Sequence, residues 1–95
     1  MALTLGLDLG QAQDYSALVL VGQRPTDPAP RPYVVAMLHR WPLGTPYPVI
    51  IEHTVATMRR PQVRQGQATL LVDYTGVGRA VVDSVRQREI GRAHV

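Results

Sequence analysis

One stretch constrains the fold of this 95-residue chain more than any other: Leu3-Thr-Leu-Gly-Leu-Asp-Leu-Gly10. Leu3, Leu5, Leu7 and Leu9 alternate with Thr4, Gly6, Asp8 and Gly10. A period of two is the signature of a strand, with the leucines on one face and the acid on the other. Gly10 to Asp14 reads as a short polar turn, and Ser16 to Val21 as a second, apolar strand folded back on the first. A carboxylate near the end of a central strand is costly to desolvate alone. A bound cation is therefore the expected partner of Asp8.

Further along, Gln23 to Pro32 holds four prolines and no apolar periodicity, which predicts a solvated loop. Tyr33 to Trp41 is rich in strand formers and predicts a third strand antiparallel to the second. His39 is expected as a partly exposed strand-end residue, since no second ligand stands at metal spacing, and Trp41 as a cap on the core. Thr45 and Pro46 predict an N-cap and first helical residue, while Pro48 leaves the start ambiguous by a turn. The helix would run to Arg60, with Ile51, Val55 and Met58 on one face and arginines at its negative pole. Pro61 to Gln67 reads as a polar link. Ala68 to Asp73 is an apolar run ending on an acid. The Tyr74-Thr-Gly-Val-Gly78 turn and a second helix through Ala80, Val81, Val82, Val85 and Arg86 follow at once. Strand, glycine turn and helix make half of a parallel crossover unit.

Composition excludes several classes. The chain has no cysteine, so it carries no disulfide framework and no zinc–thiolate site. It has no apolar run of the roughly 18 residues a membrane helix needs, and no basic n-region of a signal peptide, which leads us to expect a cytoplasmic protein. All ten basic residues are arginine. Without lysine there is no G-x-x-x-x-G-K-[ST] loop, which rules out a P-loop NTPase in this chain. The net charge of +3 is compatible with a polyanionic partner.

Asp8 and Asp73 carry the chemistry. If the fourth strand lies parallel beside the first, both carboxylates reach the same edge of the sheet, where sites in open α/β sheets gather. All-oxygen ligation suits Mg²⁺ or Mn²⁺ rather than zinc. Ions held there, roughly 3.5–4 Å apart, can serve phosphodiester hydrolysis. The competing reading has one acid capping a loop and the other capping the helix that follows it.

Taken together, Gly6-Leu-Asp-Leu-Gly-Gln-Ala-Gln-Asp-Tyr-Ser-Ala17, Leu43-Gly-Thr-Pro-Tyr-Pro48 and Leu71-Val-Asp-Tyr-Thr-Gly-Val-Gly-Arg-Ala-Val-Val-Asp83 resemble the nuclease domain of phage large terminase subunits. The resemblance implies an α/β, ribonuclease H-like fold. Its order is a three-stranded antiparallel meander, a helix, a parallel fourth strand and a second helix, truncated at the C-terminus. It further implies a Mg²⁺- or Mn²⁺-dependent endonuclease that cuts concatemeric double-stranded DNA during packaging, beside other terminase or portal components in the bacterial cytoplasm, with no membrane. Asp8 matches the first-strand metal ligand and Asp73 the acid ending the fourth strand. Asp14 takes a supporting metal role or caps its turn. The family's third acid comes from a later segment without a counterpart here, and the ATPase half is also missing, so this piece alone is expected to cleave poorly.

Residues 90–95 back-translate to ATC GGA AGA GCA CAC GTC, which resembles a sequencing-library adapter. Residues 1–89 are thus expected as a partial domain and 90–95 as a non-native read-through tail. Two other readings stand beside the nuclease. Gly6-Leu-Asp-Leu-Gly10 also resembles the phosphate-binding turn of actin-like ATPases and sugar kinases, though Gln11 and Ala12 replace the hydroxyl residues expected there. The third is a non-catalytic module that binds DNA or a packaging partner.

Overall fold

In the computed structural model, residues 2–10, 13–23, 33–73, 78–88 and 92–94 are described. The leucine alternation becomes strand β1 (Ala2–Asp8), which pairs antiparallel with β2 (Ala17–Gln23). β2 pairs antiparallel with β3 (Tyr33–Arg40), and β4 (Thr69–Val72) lies parallel on the other side of β1. The protein is thus mixed α/β, with the strand that carries Asp8 central in its sheet. The meander, helix, parallel strand and helix come in the order the sequence predicts. The β2–β3 register slips between Leu20 and Val21, where Ala36 is the extra residue of a bulge.

Helix α1 (Tyr47–Met58) and the short α2 (Pro61–Gln65) connect β3 to β4, and α3 (Gly78–Arg86) follows β4. A three-residue β5 (Arg92–His94) lies parallel to β4 and completes the order β3-β2-β1-β4-β5. Both crossovers, β3 to β4 and β4 to β5, move the same way across the sheet. Parallel crossovers are right-handed, so both sets of helices fall on one face. The core bears this out. Leu5, Leu7, Leu18, Leu70 and Val72 of the sheet form one buried cluster with Ile50, Val55 and Met58 of α1, Val63 of α2 and Val81, Val82 and Val85 of α3. Each such side chain contributes about 1.5–3 kcal/mol by leaving water.

Several local expectations change. Pro46, not Thr45, is the N-cap residue of α1, and Pro48 sits in the first turn, where a missing N–H breaks no helical bond. The Thr45 hydroxyl instead donates to the Pro42 carbonyl at 2.6 Å, closing the preceding turn. The fully buried isoleucine is Ile50, and Ile51 is only half-buried. Two threonines, Thr54 and Thr57, take the remaining inward positions. Their hydroxyls donate to the carbonyls of Ile50 (2.8 Å) and His53 (2.9 Å), which removes the cost of burying them. The helix also ends at Met58, with Arg59 as its C-cap. The segment 61–67, expected as a link, contains α2, because Pro61 starts a helical turn and Val63 reaches the core. β5 falls within residues 90–95. The free edge of β4 offers unpaired backbone groups that any short extended segment can fill. The proline-rich loop from residue 24 on and the turn at 74–77 lie outside the described residues.

A ring cluster fastens α1 to β3. The Trp41 indole N–H donates to His53 Nδ1 at 3.0 Å, and His39, Trp41 and His53 meet edge-to-face with centroids 4.6–5.3 Å apart. Trp41 is buried, as expected. His39 is half-buried and packs into this cluster. Since indole can only donate, His53 Nδ1 must accept, and His53 is neutral there. Partial desolvation, then the neighbouring His39 and Arg60, hold His53 below its ordinary pKa. Farther round, Arg88 pairs with Glu52, its Nη2 lying 3.1 Å from Oε2, and this lowers the Glu52 pKa.

Candidate functional site

Asp8 is the last residue of β1, and Asp73 directly follows β4. In the parallel ladder Leu7 stands opposite Val72, and the Asp73 N–H donates to the Leu7 carbonyl at 3.0 Å. That bond closes the last pair of the ladder, and Asp8 and Asp73 are the next residues of two neighbouring strands that lie roughly 4.8 Å apart. Leu7 and Val72 are buried against the helices while both aspartates are exposed, so the two acids share the opposite, open face. They line one concavity of about 370 Å³ whose walls include Val19, Leu38 and Leu71. Gly6 leaves its floor bare; a Cβ there would meet Val19 Cγ1 at 3.2 Å.

Two glycines hold the chain on either side of this edge. At Gly78 a Cβ would lie 2.7 Å from the Asp73 carbonyl oxygen, so α3 can start hard against the end of β4 only with glycine. At Gly10 a Cβ would fall 2.2 Å from the Asp14 carbonyl oxygen. The Gly10 N–H donates to Ser16 Oγ at 2.9 Å, and the Tyr47 hydroxyl donates to the Gly10 carbonyl at 2.8 Å. The Leu43–Pro48 segment thereby grips the turn that leaves Asp8. Ser16 and Tyr47 have no chemical signature in the sequence, and only the fold reveals their part.

Asp14 lies apart from the pair. It is exposed and lines a second cavity of about 230 Å³ with Gly10, Ser16, Thr45 and Tyr47. Among the described residues, no three or more His, Cys, Asp or Glu side chains gather as a metal-binding group. Asp8 and Asp73 therefore come together as two, without Asp14. Arg40 carries no signature in the sequence, and its place emerges only from the strand registers. Arg40 pairs with Ala17 and Ala17 with Asp8, so these three form one row across three strands, with Asp73 just past the end of the fourth. The Arg40 guanidinium lies 4.0 Å from the centroid of the Tyr15 ring, a cation–π contact of about 0.5–1 kcal/mol at an exposed site.

The donor set fits a hard divalent cation. Two carboxylates on one open face supply oxygen ligands and leave the remaining positions to water, the arrangement Mg²⁺ prefers. No helix among the described residues is long and apolar enough to cross a membrane. Compared with known proteins, the chain matches no protein-family model, and no curated protein is similar to it.

Proposed function

We propose that this chain is part of a ribonuclease H-like nuclease domain of the terminase type, acting on double-stranded DNA with Mg²⁺ or Mn²⁺. The observation that carries the proposal is the adjacency of Asp8 and Asp73 at the C-terminal ends of two neighbouring parallel strands. The strand order β3-β2-β1-β4-β5, with the antiparallel meander on one side and parallel strands on the other, supports it.

In this reading Asp8 and Asp73 hold the divalent ion between them, and the Gly10 and Gly78 contacts keep the two strand ends in register. A bound ion supplies charge stabilisation for phosphodiester hydrolysis and a more acidic water. Asp14 has no place among these ligands. With two carboxylates in place of three, the chain by itself binds the ion weakly and cleaves poorly. Its partners are double-stranded DNA and, in the assembled packaging machinery, other terminase or portal components.

The test is thermal unfolding at increasing Mn²⁺ or Mg²⁺, because a ligand that binds only the folded state raises Tm with its concentration. The wild type is expected to gain stability, and Asp8→Asn and Asp73→Asn each to lose the gain. Equal responses in all three proteins would remove the metal from the account. Vigorous Mn²⁺-dependent nicking of plasmid by the 95-residue chain would contradict the two-ligand argument.

A further inference from the structure

We infer that Arg40 is a phosphate-binding residue of the same site, receiving a backbone phosphate of double-stranded DNA beside the one held at Asp8 and Asp73. The inference rests on the nuclease reading and adds a substrate contact to it. On the open face of strands β1–β4 and the residue that follows β4, the charged residues are Asp8, Asp73 and Arg40; register places Arg40 and Asp8 in one cross-strand row, and Asp73 lines the same concavity as Asp8.

The row runs along the edge where β1, β3 and β4 end, in front of the apolar valines and leucines of the face. Ala17 stands between Arg40 and Asp8, so Arg40 lies two strand spacings from Asp8, roughly 10 Å. Adjacent phosphates of one DNA strand are separated on that scale once the reach of the arginine is included. Among the described residues no carboxylate pairs with Arg40. The guanidinium rests on the Tyr15 ring instead, which orients it without neutralising it. An arginine held in this way presents its planar N–H fork to a phosphate. Two bare carboxylates repel anionic DNA, and the Arg40 charge beside them offsets part of that repulsion even when no cation lies between them.

The experiment measures binding of a fluorescein-labelled DNA duplex by anisotropy across salt concentrations, in EDTA so that no metal contributes. One lost phosphate contact lowers the slope of log K against log[salt] by about 0.9. Arg40→Gln is expected to show that loss, while Arg64→Gln, an exposed arginine of α2, keeps the wild-type slope. Tyr15→Leu, which frees the guanidinium but keeps its charge, is expected to weaken binding with the slope unchanged. Asp8→Asn is expected to tighten binding in EDTA by removing a repulsive charge. An Arg40→Gln slope equal to wild type, or a wild type that does not bind the duplex, would overturn the inference. The two readings fail separately. An unchanged slope with an intact Mn²⁺ response condemns Arg40 alone, whereas a lost slope with no Mn²⁺ response condemns the metal.

Discussion

The two faces of the sheet are built from the same strands and are opposite in character. On the covered face, Leu5, Leu7, Leu18 and Leu70 are sealed under three helices, and the two buried threonines of α1 satisfy their hydroxyls within the helix. On the open face, Leu38 and Val35 remain 71% and 62% exposed, and the acids and Arg40 stand at its edge. The difference follows from topology: two crossovers in one direction put every helix on one side. Stability is therefore concentrated on one face, and candidate chemistry lies on the other. A single-residue alternation along β1 separates them.

Neighbours on β4 test that separation most severely. Leu70→Ala is expected to cost about 2–5 kcal/mol in urea unfolding, as a buried leucine truncated to alanine does. Leu71→Ala, one residue on but facing out, is expected to change stability by no more than about 0.5 kcal/mol. Equal losses would break the two-face description. Gly10→Ala comes next, at about 1–3 kcal/mol, because its new Cβ would press on backbone rather than on a yielding side chain.

Acid sharpens the comparison from the covered side. His53 has a lowered pKa in the folded state, so the unfolded chain binds the proton more readily. Its contribution is complete above the unfolded value of about 6.5 and is lost as pH falls through the lowered folded value. Protonation at Nδ1 also breaks the bond from Trp41, the chain's one tryptophan, whose fluorescence should follow the transition. His53→Asn, with an acceptor oxygen close to the place of Nδ1, is expected to flatten this dependence. A wild-type profile flat between pH 7.5 and 5, values that bracket the ordinary histidine range, would remove the argument. The smallest effect belongs to Arg88→Ala. It breaks an exposed ion pair with Glu52 and should lower Tm only slightly, and less at high salt.

The covered face was legible in the sequence because alternation in β1 and the apolar run of β4 are unambiguous. That both acids come to one sheet edge was legible for the same reason: each stands at the end of an apolar strand, and the two strands run parallel. What escaped was polar and non-local. Thr54 and Thr57 hide in an apolar stripe because their hydroxyls bond back to their own helix. Tyr47 meets Gly10 across 37 residues, and Arg40 joins the acids only through two strand registers. His53 escaped because its partner, Trp41, comes from the strand side of the turn before α1. The start of α1 is ambiguous in sequence because Thr45, Pro46 and Pro48 all suit a helix start; the structure resolves it with Pro46 as N-cap.

The central claim is that Asp8 and Asp73 hold one divalent ion on the open face. Paramagnetic broadening of backbone amide signals by substoichiometric Mn²⁺ tests it directly. The account predicts selective loss of the Asp8, Asp73, Gly6 and Leu71 signals, abolished by either Asp8→Asn or Asp73→Asn. Broadening centred on Asp14, or spread evenly over all the carboxylates and unmoved by those substitutions, would contradict it.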